Sequence, residues 1–153
     1  MANIRFKLKG QKPFSFYQNI EYWHNDSNGS IVFINNKQYL VYERSLRVLE
    51  HITSLYMISV KSYFKYINKV TNTAYNNPVV LSEMFAFIKT SNLKDYDNHW
   101  INYSQVREIK YFNEYVEIYF KSNNYLVIKT RANNLVKQID KIKKVKTYLQ
   151  LIK

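Results

Sequence analysis

The stretch from Glu114 to Ile152 changes its hydrophobic period once, and that change limits the folds open to the chain. In "EYVEIYF", Val116, Ile118 and Phe120 alternate with Tyr115, Glu117 and Tyr119, the period of two that lays one face of a strand on a core. "SNN" then turns the chain into "YLVIKTR". Beyond it Leu135, Ile139, Ile142, Val145, Leu149 and Ile152 recur at spacings of three and four, the stripe of an amphipathic helix. The chain is therefore expected to close with strands followed by a helix over 133–151.

The earlier segments read in the same way. "QNIEYWH", "IVFI" and "QYLVYE" predict a three-strand meander, with turns at Asn28-Gly29 and Asn35-Asn36, residues that tolerate positive φ. Ser45 is placed to cap a helix whose apolar positions Leu46, Leu49, Ile52, Tyr56, Val60, Tyr63 and Ile67 keep helical spacing to about Lys69, with room for one break. "TNTAYNNP" is a polar loop ending in proline, "VVLSEMFAFIKT" reads as one long bent strand, and "SNLKDYDN" is the next loop. In "NHWINYSQVREIKYF", from Asn98 to Phe112, period two slips near Ser104, which predicts an edge strand with a bulge or short turn that opens the C-terminal meander. Trp100 is expected to pack with its indole N–H satisfied locally. Two glycines, two prolines and no repeat leave no linker at which to divide the 153 residues. One domain over 1–153 is expected, with a basic N-terminal arm over 1–16. The class is α+β: a mostly antiparallel sheet with one internal helix and a basic C-terminal amphipathic helix. A pleckstrin-homology-like barrel uses the same elements and stays open as an arrangement.

The inventory of reactive groups narrows the chemistry. Without cysteine the chain has no disulfide framework, no thiolate zinc site and no thiol nucleophile. The N-terminus lacks the apolar run of a signal peptide, and no window approaches the ~18 apolar residues of a membrane span. A cytoplasmic location is expected. Asp95, Asp97 and His99 alternate in "DYDNH" as ligands on an extended segment would, but Asp and Asn before a strand more often form turns. No phosphate-cradling glycine loop and no nucleophile elbow is present. The expectation is a non-enzyme with no metal and no cofactor.

Charge points to a partner. Lys and Arg number 23 against 11 Asp and Glu, a formal net charge of +12, and such a balance favours a polyanion. Lys, Asn, Ile, Tyr and Phe share A/T-rich codons, so distribution carries more weight than the total. From residue 129 to the end, Lys129, Arg131, Lys137, Lys141, Lys143, Lys144, Lys146 and Lys153 face the single acid Asp140. Lys137, Lys141 and Lys144 fall at i, i+4 and i+7 on one helix face, suited to tracking phosphates, although a solvated face would show the same spacing. Lys129 and Arg131 just precede that helix. Arg107 and Lys110 are the remaining candidates, with Arg107 equally suited to pair with Glu117 across a sheet.

The order "HWINYSQVREIKYF", alternating strand, Asn-containing turn, "LVIKT" strand and basic helix resembles the C-terminal half of the ComK family, the competence transcription factors of low-GC Gram-positive bacteria. That family's W-I-[SN]…V-x-x-I pattern is matched by Trp100, Ile101, Asn102, Val106 and Ile109. "YERSLRVLEHI", from Tyr42 to Ile52, and Pro78 with "VVLS" extend the likeness, which covers about Tyr39 to Leu149. The resemblance implies a DNA-binding activator that reads paired A-tract and T-tract boxes in double-stranded A/T-rich DNA through the minor groove, bends the duplex and acts as a homo-oligomer. The chain departs from the family at "SVKSYFKY", Ser59 to Tyr66, where the family has a Gly- and Arg-containing turn. It departs again at Tyr75, Asn76 and Asn77 before Pro78, where the family's adaptor-recognition segment ends in an apolar pair, which leaves an adaptor and protease partner open. Two other classes fit the same elements: a module that binds an acidic membrane surface or a protein through its basic tail, and a small mobile-element inhibitor of a host protein.

Overall fold

The computed structural model describes Arg5–Phe6 and residues 14–151, and the rest of the basic N-terminal arm lies outside these. Polar turns set the first strands. β1 (Arg5–Phe6) and α1 (Phe14–Gln18) precede the expected meander of β2 (Tyr22–Asp26), β3 (Gly29–Ile34) and β4 (Lys37–Val41). Asn35 and Asn36 adopt φ of 48° and 66°, the left-handed pair whose twist suits a two-residue hairpin. Gly29 sits at φ 145°, and a Cβ there would lie 2.1 Å from the Val41 carbonyl oxygen. Only glycine fits that approach.

The internal helix is broken once, into α2 (Ser45–Ser54) and α3 (Val60–Thr71), with Met57 at φ 58° in the joint. Ser59 caps α3 by accepting from the Ser62 N–H at 3.0 Å. Ser45 is the first residue of α2 and not its cap. The Arg44 side chain makes no cap bond, and the Ser45 N–H donates instead to Asn25 Oδ1 at 2.7 Å. A tertiary partner has replaced the local one.

"VVLSEMFAFIKT" is a hairpin and not one bent strand: β5 (Val79–Ser82) and β6 (Phe85–Lys89) turn about Glu83 and Met84. Side chains supply the turn from both sides, Ser82 Oγ accepting from the Met84 N–H at 3.2 Å and Ser104 Oγ donating to the Glu83 carbonyl at 2.8 Å. The slip near Ser104 is a 3-10 turn, Tyr103–Gln105, between β7 (His99–Asn102) and β8 (Val106–Tyr111). β7 is not an edge strand. It lies between β2 and β6 in a sheet ordered β1-β4-β3-β2-β7-β6-β5, antiparallel except where β1 joins β4.

β8 opens a second antiparallel sheet with β9 (Val116–Phe120) and β10 (Tyr125–Ile128), in the order β10-β9-β8, and α4 (Ala132–Leu151) follows. The architecture is α+β with two open sheets. No barrel closes among the described residues, because β5 ends the large sheet and the chain passes to the second sheet through the 3-10 turn. The pleckstrin-homology-like arrangement is thereby excluded.

α2 packs on β2 and β3, and α4 on α3, β5 and β6. Trp23, Trp100, Phe85 and Phe87 fill the core, with the two indoles stacked at 6.1 Å. Trp23 Nε1 donates to the Ser45 carbonyl at 2.9 Å, whereas the buried Trp100 N–H has no partner, contrary to expectation. Packing alone positions Trp100. Val116, Ile118 and Phe120 are fully buried as their alternation predicts, each worth ~1.5–3 kcal/mol relative to exposure. Phe120 stacks on Tyr22 at 5.4 Å, and the buried Glu21 carboxylate accepts from Ser122 and Asn124, so the second sheet is fastened to the first. Under α4, Leu135, Ile142 and Val145 are buried and Ile139 and Leu149 pack beside them, while Ile152 lies outside the described residues.

Candidate nucleic-acid interface

The seven basic candidates separate into three places. Lys137 and Lys144 are exposed on the flank of α4 nearest the 72–78 loop, and the half-buried Lys141 donates from Nζ to the Tyr75 carbonyl at 2.5 Å. Burial, then the charges of Lys137 and Lys144, lower the Lys141 pKa. Lys89 of β6 lies beside them, a residue that sequence periodicity did not mark. Its ammonium donates to the Asn77 carbonyl at 2.8 Å and stands 5.4 Å from the centre of the Phe64 ring. Burial, then Lys141, push its pKa down to about 8. Gln138 of α4 grips the same residue, accepting from the Lys89 N–H at 2.9 Å and donating to its carbonyl at 2.7 Å. None of these four lysines forms an ion pair among the described residues.

The one acid of α4, Asp140, lies one turn from both Lys137 and Lys144, on the side towards Tyr103. Asp140 lines a shallow groove there with Tyr103, Lys143 and Lys146, and Lys146 is itself paired to Glu83 at 3.1 Å. α3 contributes exposed Lys61, Lys65 and Lys69 and contains no acid. Their four-residue spacing was open to reading in "VKSYFKYINK".

The second place is the outer face of β8 and β9. Arg107 occupies the β8 bulge, between Val106 and Glu108, and donates from Nη1 to Asn123 Oδ1 at 2.9 Å. Its guanidinium lies 5.9 Å from the Tyr119 ring centre and the Lys110 ammonium 5.2 Å from the same ring. Cation–π attraction at exposed sites is worth ~0.5–1 kcal/mol, enough to orient both side chains. Arg107 makes no pair with Glu117, because Glu117 accepts from the Tyr119 hydroxyl at 2.8 Å. The Tyr119 ring stacks in turn on exposed Tyr125 at 6.0 Å.

The third place is the passage from β10 to α4, where Lys129 and Arg131 are both exposed. Thus the structure gathers Lys137, Lys141 and Lys144, gathers Arg107 and Lys110, and holds Lys129 and Arg131 between them along the chain. Asn102, Tyr103 and Gln105 are committed to the fold: Asn102 is buried, Tyr103 packs on the core, and Gln105 donates to the Gln18 carbonyl at 3.1 Å.

Asp95, Asp97 and His99 serve turns and stacking. Asp95 Oδ2 accepts from the Asn92 N–H at 3.2 Å, and His99 donates from Nδ1 to the Asp97 carbonyl at 3.0 Å. The His99 ring lies 4.5 Å from that of His24, and burial, then His24, push its pKa down to about 4. Among the described residues no group of three or more His, Asp or Glu is placed to hold a metal ion, and no helix is long and apolar enough to cross a membrane.

Comparison with protein families suggests a competence transcription factor for this two-sheet α+β chain with its lysine-rich helix. A family model described as ComK protein matches residues 20–151, and the chain belongs to the ComK family. The match reaches back to the start of the first meander, beyond the Tyr39 limit of the visible motifs. No curated protein and no solved structure matches the chain.

Proposed function

We propose that this ComK-family protein is a non-enzymatic DNA-binding regulator of competence type, which binds paired A/T-rich boxes as a cytoplasmic oligomer. The observation that carries the reading is the crowding of Lys137, Lys141 and Lys144 beside half-buried Lys89, with no acid ion-paired to any of them among the described residues. Crowded ammonium groups gain when a polyanion neutralises them, and each phosphate contacted releases condensed counterions. Lys129 and Arg131 extend this phosphate-tracking surface. Arg107 and Lys110, held over one tyrosine ring, are the candidates for a narrow A-tract minor groove, whose negative potential draws in Arg and Lys without a base-specific donor code.

A fluorescence-anisotropy titration tests this reading. A duplex with paired A-tract and T-tract boxes is compared with one carrying G·C pairs in the boxes, across a salt series. A preference of about tenfold for the A/T boxes that persists with salt supports groove readout. Equal, steeply salt-dependent binding reduces the protein to a phosphate binder, and no binding near physiological salt overturns the assignment.

A further inference from the structure

An apolar groove runs between α3 and the C-terminal half of α4. Ile58, Tyr66 and Val70 line one wall and Val145, Tyr148 and Leu149 the other, around about 290 Å³. Two of its side chains stand out into solvent, Tyr66 at 61% and Tyr148 at 42% exposure, while Val145 is buried and Ile58, Val70 and Leu149 are half-buried. Past Ile58, Met57 is 95% exposed on backbone at φ 58°, a conformation that costs an ordinary L-residue ~1–2 kcal/mol. Contiguous exposed apolar side chains of this kind mark contact surfaces.

Charge says what would cover them. Every charged residue of α3 is a lysine, namely Lys61, Lys65 and Lys69. On α4, Lys141 and Lys144 precede Val145 and Tyr148 along the same side, and Asp140, one turn before Lys144, lines a separate groove with Tyr103. The floor is apolar and lysines predominate beside it; the nearest acids, Glu83 beyond Leu149 and Glu50 beyond Ile58, are each paired with a basic residue, Lys146 and Arg47. A second copy of the chain would set these lysines against each other, and a duplex would meet the lysines while leaving the apolar walls in water.

We propose that this groove docks an acidic amphipathic helix from a partner protein. Apolar side chains spaced three and four apart on that helix fill the groove, and Asp or Glu beside them face the lysines of α3 and α4. The 12 residues of α3 give the groove a length of ~18 Å, about three turns of a docked helix. This reading does not depend on DNA binding.

The test uses the full chain and three fluorescent 18-residue probes: a Leu/Glu amphipathic helix, a scrambled isomer without an apolar face, and a Leu/Lys amphipathic helix. The Leu/Glu helix is expected to bind at least tenfold tighter than its scrambled isomer. Tyr66→Glu with Tyr148→Glu should weaken it tenfold or more, while Tyr125→Glu, exposed on the second sheet, leaves it unchanged. Reversing Lys65→Glu and Lys69→Glu should weaken the Leu/Glu helix and strengthen the Leu/Lys helix, a gain that misfolding cannot produce. Equal binding of the scrambled probe, or indifference to the groove variants, overturns the proposal. So does a concentration-dependent dimer, or co-sedimentation with anionic vesicles, that Tyr66→Glu abolishes while the Leu/Glu helix fails to bind.

Discussion

β7 and β8 are separated by three residues, yet they use their polar side chains in opposite ways. In β7, Asn102 is buried and joins four backbone groups: its Oδ1 accepts from the Ala86 and Ser104 N–H groups, and its Nδ2 donates to the Ile20 and Met84 carbonyls. In β8, Arg107, Glu108 and Lys110 all point to water, and the two cations rest over a tyrosine ring. The residues differ in charge, since an amide can be buried once its hydrogen bonds are met while ionised groups stay in water. Their strands also differ in placement, because β7 has neighbours on both sides in the large sheet, whereas β8 ends a three-stranded sheet. Polarity in this chain marks a candidate ligand surface only after strand order is known.

The contrast breaks first at Asn102. Asn102→Ala should cost ~3 kcal/mol or more in chemical denaturation, since four backbone groups lose a partner, two of the bonds being buried and two part-buried, and no side chain replaces it. A loss below ~1 kcal/mol would place β7 with the tolerant surfaces.

His99, at the start of β7, gives a pH test. Its folded pKa of about 4 lies below the ordinary 6.5, so the native state resists the proton that the unfolded chain accepts. Its contribution to stability is complete above pH 6.5 and falls away as pH drops towards 4, at up to ~1.4 kcal/mol per pH unit. Thermal unfolding between pH 7 and 4 should show this slope, and His99→Gln should flatten it.

The two stacked indoles sharpen the comparison within the core. Trp23→Phe removes a hydrogen bond to the Ser45 carbonyl, and Trp100→Phe removes an N–H that had no partner. Trp23→Phe should be the more damaging by ~1 kcal/mol. Equal losses would mean that volume alone governs both sites.

The smallest effect on stability belongs to β8. Arg107→Ala with Lys110→Ala should move unfolding by no more than ~1 kcal/mol, the scale of an exposed cation–π contact, while weakening binding to the A/T duplex. Replacing Lys137 and Lys144 should instead reduce the salt slope by ~1 for each phosphate that is no longer neutralised, on either duplex. A large fall in stability from the β8 pair would make those cations structural.

The elements most legible in the sequence were those whose cause is local. Asn35-Asn36 announced a hairpin because asparagine tolerates left-handed backbone, and Val116, Ile118 and Phe120 announced a buried face by alternation. The hairpin at Glu83-Met84 escaped because its turn residues carry no such signal; Ser104, distant in sequence, helps to hold it. Ser45 misled because Asn25, from another strand, takes the N–H that a local cap would leave to the helix. Helical spacing sufficed to group Lys137, Lys141 and Lys144. Lys89 could not join them on paper, since only the pairing of β6 and the docking of α4 bring its ammonium there.

Five of the six non-glycine residues with positive φ among those described are asparagines: Asn35, Asn36, Asn72, Asn76 and Asn123. In a chain with two glycines, asparagine has taken over the work of bending the backbone. Exchange for glycine therefore keeps the backbone at these corners, although at Asn123 it removes the acceptor of Arg107 and at Asn36 a bond to the Ser122 carbonyl. Exchange for valine or isoleucine does not keep it, because a branched Cβ resists the left-handed turn. Gly29 stands outside that freedom, fixed by the Val41 carbonyl against which it is pressed.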